Sequence, residues 1–163
     1  MTTDPQTIRA IEELKYRYLR GVDTKDWDLV ASTLTADVQT AYGTQMGGRD
    51  LTFTDRAGVI EYFRTAMGPT IVTEHRADHP IIEVDGDTAT GSWYLQDRVI
   101  VPEFDVMIIG AAFYRDEYRR TARGWRISST GYDRTYEAVG SLSAGGWTMT
   151  PGPALRPPSQ PPR

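Results

Sequence analysis

The chain has 163 residues, 39% of them hydrophobic and 25% charged, with a formal net charge of −4. That is the size and composition of one soluble globular domain, able to bury roughly 70% of its unfolded surface. With no cysteine, disulfides, zinc-thiolate sites, iron–sulfur clusters and thiol catalysis are excluded, and the acidic balance argues against a nucleic-acid partner, which needs a basic face.

No apolar run approaches the roughly 20 residues that span a bilayer, so no membrane partner is expected. The first residues, Met1-Thr2-Thr3-Asp4-Pro5, lack a basic region followed by an apolar stretch. No secretory leader is therefore expected, and the default location is cytoplasmic.

Residues 5–22 read as a helix, because Ile8, Ile11, Leu14, Tyr18, Leu19 and Val22 recur at helical spacing as one apolar stripe. Asp4 is its expected N-cap, and Pro5 sits where a first-turn proline is tolerated. After a break at Asp23-Thr24-Lys25-Asp26, a second short helix turns Trp27, Val30, Ala31 and Leu34 inward. Thr35-Ala36-Asp37 should close it, followed by a short strand over 38–42 and a loop over 43–50. Asp55 can cap a third helix reaching about Met67, with Val59, Ile60 and Phe63 buried.

The remainder reads as β. Residues 70–77 form one strand candidate, and 80–84 another or its continuation. Asp85-Gly86 marks a tight turn. Residues 87–101 alternate, placing Ala89, Gly91, Trp93, Leu95, Asp97 and Val99 on one face. Further strands are expected over 104–120 and 125–136, joined at Ala122-Arg123-Gly124. Three helices followed by an antiparallel sheet define an α+β fold. From Gly140 the chain turns Pro- and Gly-rich, which predicts a domain over 1–139 and a partly disordered tail over 140–163. Trp147 within that tail is expected to pack on the body, over a cavity mouth or on an outer or dimer surface.

Few residues offer chemistry. His75 shares a strand face with Ile71 and Thr73, whereas His79, before Pro80, reads as structural or exposed. Asp23 ends the first apolar stripe, where a carboxylate opposes the helix dipole. It either caps the second helix or accepts a hydrogen bond from an imidazole. Tyr18 lies inside the stripe and needs a hydroxyl partner. Asp97 falls on the inner face, where a carboxylate is rare unless paired or functional. Arg134, two residues past Tyr132 on a strand whose other face carries Trp125 and Ile127, is the candidate partner. Gly47-Gly48 lacks the lysine and the strand–loop–helix setting of a phosphate loop. No metal-ligand cluster and no cofactor motif is evident.

Several strings are similar to the SnoaL-like branch of the nuclear transport factor 2-like superfamily. Ile8-Arg9-Ala10-Ile11-Glu12-Glu13-Leu14-Lys15-Tyr16-Arg17-Tyr18 followed by Gly21-Val22-Asp23-Thr24-Lys25-Asp26-Trp27 resembles its opening. Glu83-Val84-Asp85-Gly86-Asp87-Thr88-Ala89-Thr90-Gly91 resembles its central hairpin, and Trp93-Tyr94-Leu95-Gln96-Asp97 and Gly124-Trp125-Arg126-Ile127 resemble its later strands. The resemblance covers about residues 5–137. It implies a cone-shaped barrel: a curved antiparallel sheet wrapped by three N-terminal helices around an apolar pocket.

Within that superfamily the chain resembles scytalone dehydratase, bile-acid 7α-dehydratase and hexachlorocyclohexane dehydrochlorinase. The resemblance implies a pair of Asp23, ending the first helix, and His75, on a strand after the third. It also implies assistance from Tyr18, five residues before the aspartate, and from Asp97 and Arg134 on later strands. The histidine spacing is shifted by a few residues, and the second active-site histidine of scytalone dehydratase has no counterpart, so that chemistry is not carried over whole. The implied activity is a cofactor-independent, dehydratase-type β-elimination on a hydrophobic small molecule such as a steroid or polyketide. His75, Asp23, Tyr18 and Asp97 are its expected catalytic groups, and Arg134, Trp93, Tyr42 and Tyr132 its expected substrate contacts. Asp97 would act as a second acid–base group if apolar walls favour its protonated form; Arg134 would otherwise keep it ionised and anchor a polar substrate group. The alternatives are a proton-shuttling isomerase of the ketosteroid isomerase kind, or a dimer that binds a small molecule without catalysis. The resemblance also implies a homodimer joined through the outer face of the sheet.

Overall fold

A computed structural model describes residues 4–43, 51–150 and 152. The 43–50 loop with Gly47-Gly48 falls almost wholly outside the described residues, as do Pro151, Leu155 and the terminal prolines.

Helix α1 (Pro5–Thr24) starts where Asp4 accepts a hydrogen bond from the Gln6 amide, and ends at Lys25, whose left-handed backbone lets its N–H close on the Gly21 and Val22 carbonyls. Asp26, rather than Asp23, caps α2 (Trp27–Thr33), accepting from the Leu29 amide. Strand β1 (Leu34–Tyr42) follows at once. It begins four residues earlier than the sequence suggests, because Leu34 already pairs with Ile127 of the sheet. A three-residue strand, β2 (Leu51–Phe53), leads to α3 (Arg56–Ala66), capped by Asp55 as expected.

The long strands β3 (Val72–Asp85), β4 (Thr88–Val101), β5 (Val106–Thr121) and β6 (Gly124–Ser141) form an antiparallel meander. The sheet order is β2-β1-β6-β5-β4-β3, and the β1–β6 pairing is parallel, so this curved, open sheet is mixed rather than wholly antiparallel. Together with the three helices it makes the α+β cone.

Bulges set which side chains face inward. One extra residue on β3 at His79-Pro80, with His79 at φ 50°, merges the two strand candidates and turns Ile82 and Val84 toward the core. On β6 an extra residue at Ser128 flips the alternation. Trp125 and Ile127 face the core before it, and Thr130, Tyr132 and Arg134 face the same side after it, so the opposite faces expected from plain alternation do not hold. Strand β6 also runs past its expected end at Tyr136, because residues through Ser141 pair with the start of β5. The following turn is clasped by Asp105, which accepts from the Ser143 amide and hydroxyl. Of the alternatives for Trp147, the cavity mouth falls away and the outer surface remains: it does not line the cavity and is 63% exposed, with its ring against Gly145.

The closed end of the cone contains a second polar cluster. Lys15 is fully buried, with its ammonium 2.7 Å from Asp116 and 3.3 Å from the centre of the Tyr114 ring. Asp116 also accepts from the Tyr118 and Thr130 hydroxyls, and Trp93 donates its indole N–H to Tyr118. Burial pushes the Lys15 amine down from its ordinary value, with Asp116 opposing the shift. Removing one partner of such a pair strands the other charge. Lys15→Met should therefore lower stability by about 3 kcal/mol in urea unfolding; a loss under about 0.5 kcal/mol, the range of an ordinary surface change, would contradict this account.

Candidate active site

Tyr18, Leu19 and Val22 of α1, Phe63 of α3 and the concave sheet face enclose a cavity of about 340 Å³. Its walls are aliphatic and aromatic, and its polar groups come in three sets.

The first set joins α1 to β3. Asp23, on the last turn of α1, reaches His75: the imidazole Nδ1 lies 2.6 Å from Oδ1, and Oδ2 accepts the His75 backbone N–H at 2.9 Å. Oδ1 also accepts the Thr73 hydroxyl at 2.9 Å. A carboxylate acts here as acceptor, so Nδ1 carries the proton and the Nε2 lone pair remains for the cavity that His75 lines. His79, by contrast, is exposed at the bulge.

The second set is a phenol pair. The Tyr18 and Tyr42 hydroxyls are 2.7 Å apart, both residues are buried, and both line the cavity. One hydroxyl donates to the other, which leaves a single phenolic proton for a ligand. Burial raises both phenols above their ordinary value, so they act as neutral donors.

The third set is built on β4 and β6. Asp97 and Arg134 form a bidentate pair, Nη1 to Oδ1 and Nη2 to Oδ2, the latter at 2.7 Å. Glu137 lies 3.5 Å from the Arg134 Nε, and all three side chains are 7% exposed or less. Burial opposes the guanidinium charge, but hydrogen bonds to Asp97 and its charge outweigh it and hold Arg134 above its ordinary value. Asp97 stands directly across from His75 in the β3–β4 register, so the first and third sets share one wall. Both Asp97 oxygens are engaged by Arg134, the paired one of the two states anticipated for this carboxylate.

Tyr132 lines the same cavity, with the Arg134 guanidinium 4.8 Å from its ring centre. The structure thus brings His75, Tyr18, Asp97, Arg134, Tyr42 and Tyr132 together around one hollow, with Asp23 outside its lining and joined to it through His75 and Thr73. Trp93 is the exception: its bond to Tyr118 and complete burial place it in the packed closed end, away from the cavity lining. Glu137 was missed because the extra residue at Thr135, which turns it inward three positions after Arg134, breaks simple alternation. No group of His, Asp and Glu among the described residues is arranged to hold a metal, and no helix among them is long and apolar enough to cross a membrane.

The α+β cone is the fold of a known family. Residues 5–131 match the SnoaL-like domain, and the chain belongs to that family, within the nuclear transport factor 2-like superfamily. Among solved structures, the Kfla4162 protein of Kribbella flavida is 26% identical, covering 83% of this chain and 95% of its own, with a TM-score of 0.74. The type 3 hexachlorocyclohexane dehydrochlorinase LinA of Novosphingobium barchaimii is 23% identical over 90% of this chain and 96% of its own, at TM-score 0.73. A protein titled a putative scytalone dehydratase, from Novosphingobium aromaticivorans, is 16% identical over 80% and 85%, at TM-score 0.71.

Gly110, opposite Asp97 on β5, leaves room for the ion pair. A Cβ there would stand 2.5 Å from the Arg134 Nη1 and 3.0 Å from the Asp97 Oδ1. Gly110→Ala should therefore displace the guanidinium and destabilise the fold by about 1–3 kcal/mol, as overpacking does; an unchanged thermal midpoint would show that the pair has slack.

Proposed function

We propose that the protein is a cofactor-independent lyase that removes water from an uncharged hydrophobic small molecule such as a steroid or polyketide. The observation that carries the reading is the 2.6 Å contact between Asp23 and His75, whose ring lines a half-open, largely apolar cavity. Names among the structural relatives, dehydrochlorinase and dehydratase, agree with an elimination.

His75 takes a proton through Nε2 from a carbon next to a carbonyl, and Asp23 stabilises the imidazolium that forms. The phenol pair of Tyr18 and Tyr42 supplies a hydrogen bond to the oxygen on which negative charge develops. The electron pair of the broken C–H bond forms the new double bond and expels hydroxide, which leaves as water with the proton carried by His75. Tyr132 and the aliphatic wall hold the apolar skeleton.

Arg134 favours an uncharged substrate. It lines the cavity, yet its charge is already answered by Asp97 on one side and Glu137 on the other. It offers a substrate oxygen hydrogen bonds, without the unpaired cation that would attract a carboxylate.

His75→Gln should lower turnover by about 100-fold or more, the usual contribution of a placed base, while ligand binding in a thermal-shift assay persists. Full turnover in the variant would remove His75 from the reaction. The product should be lighter than the substrate by one water; a product of unchanged mass would instead make the protein an isomerase.

We also propose that two chains pair through the outer face of the sheet. Tyr94 and Phe113 stack edge to face there with centroids 4.7 Å apart, beside exposed Ile109 and Tyr136. Light scattering should give a dimer that Tyr94→Lys with Phe113→Lys converts to monomer. A monomeric parent protein at all concentrations would refute the pairing.

A further inference from the structure

Behind the catalytic wall lies a lysine to which the elimination assigns no role. Lys25 adopts a left-handed backbone, φ 60° and ψ 27°, at the end of α1, where glycine is ordinarily favoured. Its side chain reaches β3, where its ammonium donates to the Thr73 hydroxyl oxygen at 3.0 Å. Thr73 is 5% exposed. The hydrogen bonds then run Lys25 to Thr73, Thr73 to Asp23, and His75 to Asp23.

An ammonium has donors and no acceptor. With Lys25 donating to it, the Thr73 oxygen must send its own proton onward, and the acceptor in place is Asp23. Asp23 therefore receives three donors: the Thr73 hydroxyl, the His75 amide and the His75 Nδ1–H. We propose that Lys25 is a positioning residue for the reactive pair, fixing through Thr73 the direction of the hydrogen bonds around Asp23 so that His75 keeps its proton on Nδ1 and presents Nε2 to the cavity. This rests on reading Asp23 and His75 as the reactive pair.

The arrangement has a state in which it fails. A neutral amine can accept, so when Lys25 loses its proton the Thr73 hydroxyl is free to turn toward it and leave Asp23 one donor short. Burial pushes the Lys25 amine down to about 8, against the opposing pull of Asp23, so this loosening falls in the mildly alkaline range. Asp23 is the charged group acting on Lys25. From the sheet, His75 also faces Asp97, which is tied to Arg134 and through it to Glu137.

The test uses nitrogen-15 NMR of the two histidine rings, with exposed His79 as internal control. It reports the His75 tautomer whether or not a substrate is turned over, so failure here is distinct from failure of the lyase reading. In the parent protein, His75 should show Nδ1–H at neutral pH and a step in its ring shifts near pH 8. Lys25→Arg, which stays protonated, should abolish the step and keep the neutral-pH signature at pH 9. Lys25→Met, which has no nitrogen for the Thr73 hydroxyl to turn toward, should also lose the step, whereas Thr73→Val, which deletes the relay without touching the lysine, should show the alkaline signature throughout. Lys25→Gly relieves the left-handed backbone, so its thermal midpoint should hold while the step near pH 8 is lost. Unchanged His75 shifts in Thr73→Val, or a step near pH 8 that survives Lys25→Arg or Lys25→Met, would overturn the proposal.

Discussion

Charges held away from water must be answered where they stand, and the concave face of this sheet holds two such sets. At the closed end Lys15 and Asp116 answer each other, with Tyr118 and Thr130 completing the carboxylate's bonds. Further toward the opening, Arg134 is shared by Asp97 and Glu137. The hollow lies between an ion pair that is purely internal and one that reaches the cavity wall. Tyr114 links them, stacked under the Lys15 ammonium and lining the cavity with its edge on Tyr132. Polar groups are thus placed inside an apolar shell without a bare charge, and the paired Asp23 and His75 stand in that setting.

The geometry depends on strand irregularity as much as on strand order. Were β6 regular, Tyr132 and Arg134 would share a face with neither Trp125 nor Ile127, and one of the two sets would point to solvent. The bulge at Ser128 lets the same strand close the core at one end and line the cavity at the other. A second at Thr135 does the same for Glu137. Bulges that redirect a side chain next to a site are a recurrent use of the device.

Much of this was legible in the residues. The stripe of Ile11, Leu14, Tyr18 and Val22 located α1 and its buried face, and the alternation from Ala89 to Val99 located the inner face of β4, including Asp97. The pairing of Asp23 with His75 came from family likeness; periodicity alone left Asp23 open between a helix cap and an imidazole partner. Lys15 was legible and overlooked: it sits four residues after Ile11 and three before Tyr18, inside the stripe, but lysine is read as surface by habit. Asp116 alternates in phase with Tyr114 and Tyr118 and carried the same signal. The bulges were not legible, because one inserted residue leaves composition and hydrophobicity unchanged while reversing every side chain beyond it. Trp93 and Trp147 show what alternation and composition leave open. An inner-face tryptophan filled the packed end instead of the pocket, and a tryptophan in a polar segment stayed on the outside.

The parallel seam between β1 and β6 bears on how the hollow comes into being. Strands β3 to β6 are joined by short turns and can zip up as successive neighbours, whereas Tyr42 must find Tyr132 across about ninety residues of intervening chain. Closing so long a loop has to be met before the contact yields any return. The wall that carries Tyr42 therefore bears a larger loop-closure cost than any turn of the meander behind it, and the chamber rests on the seam whose partners lie furthest apart in the chain.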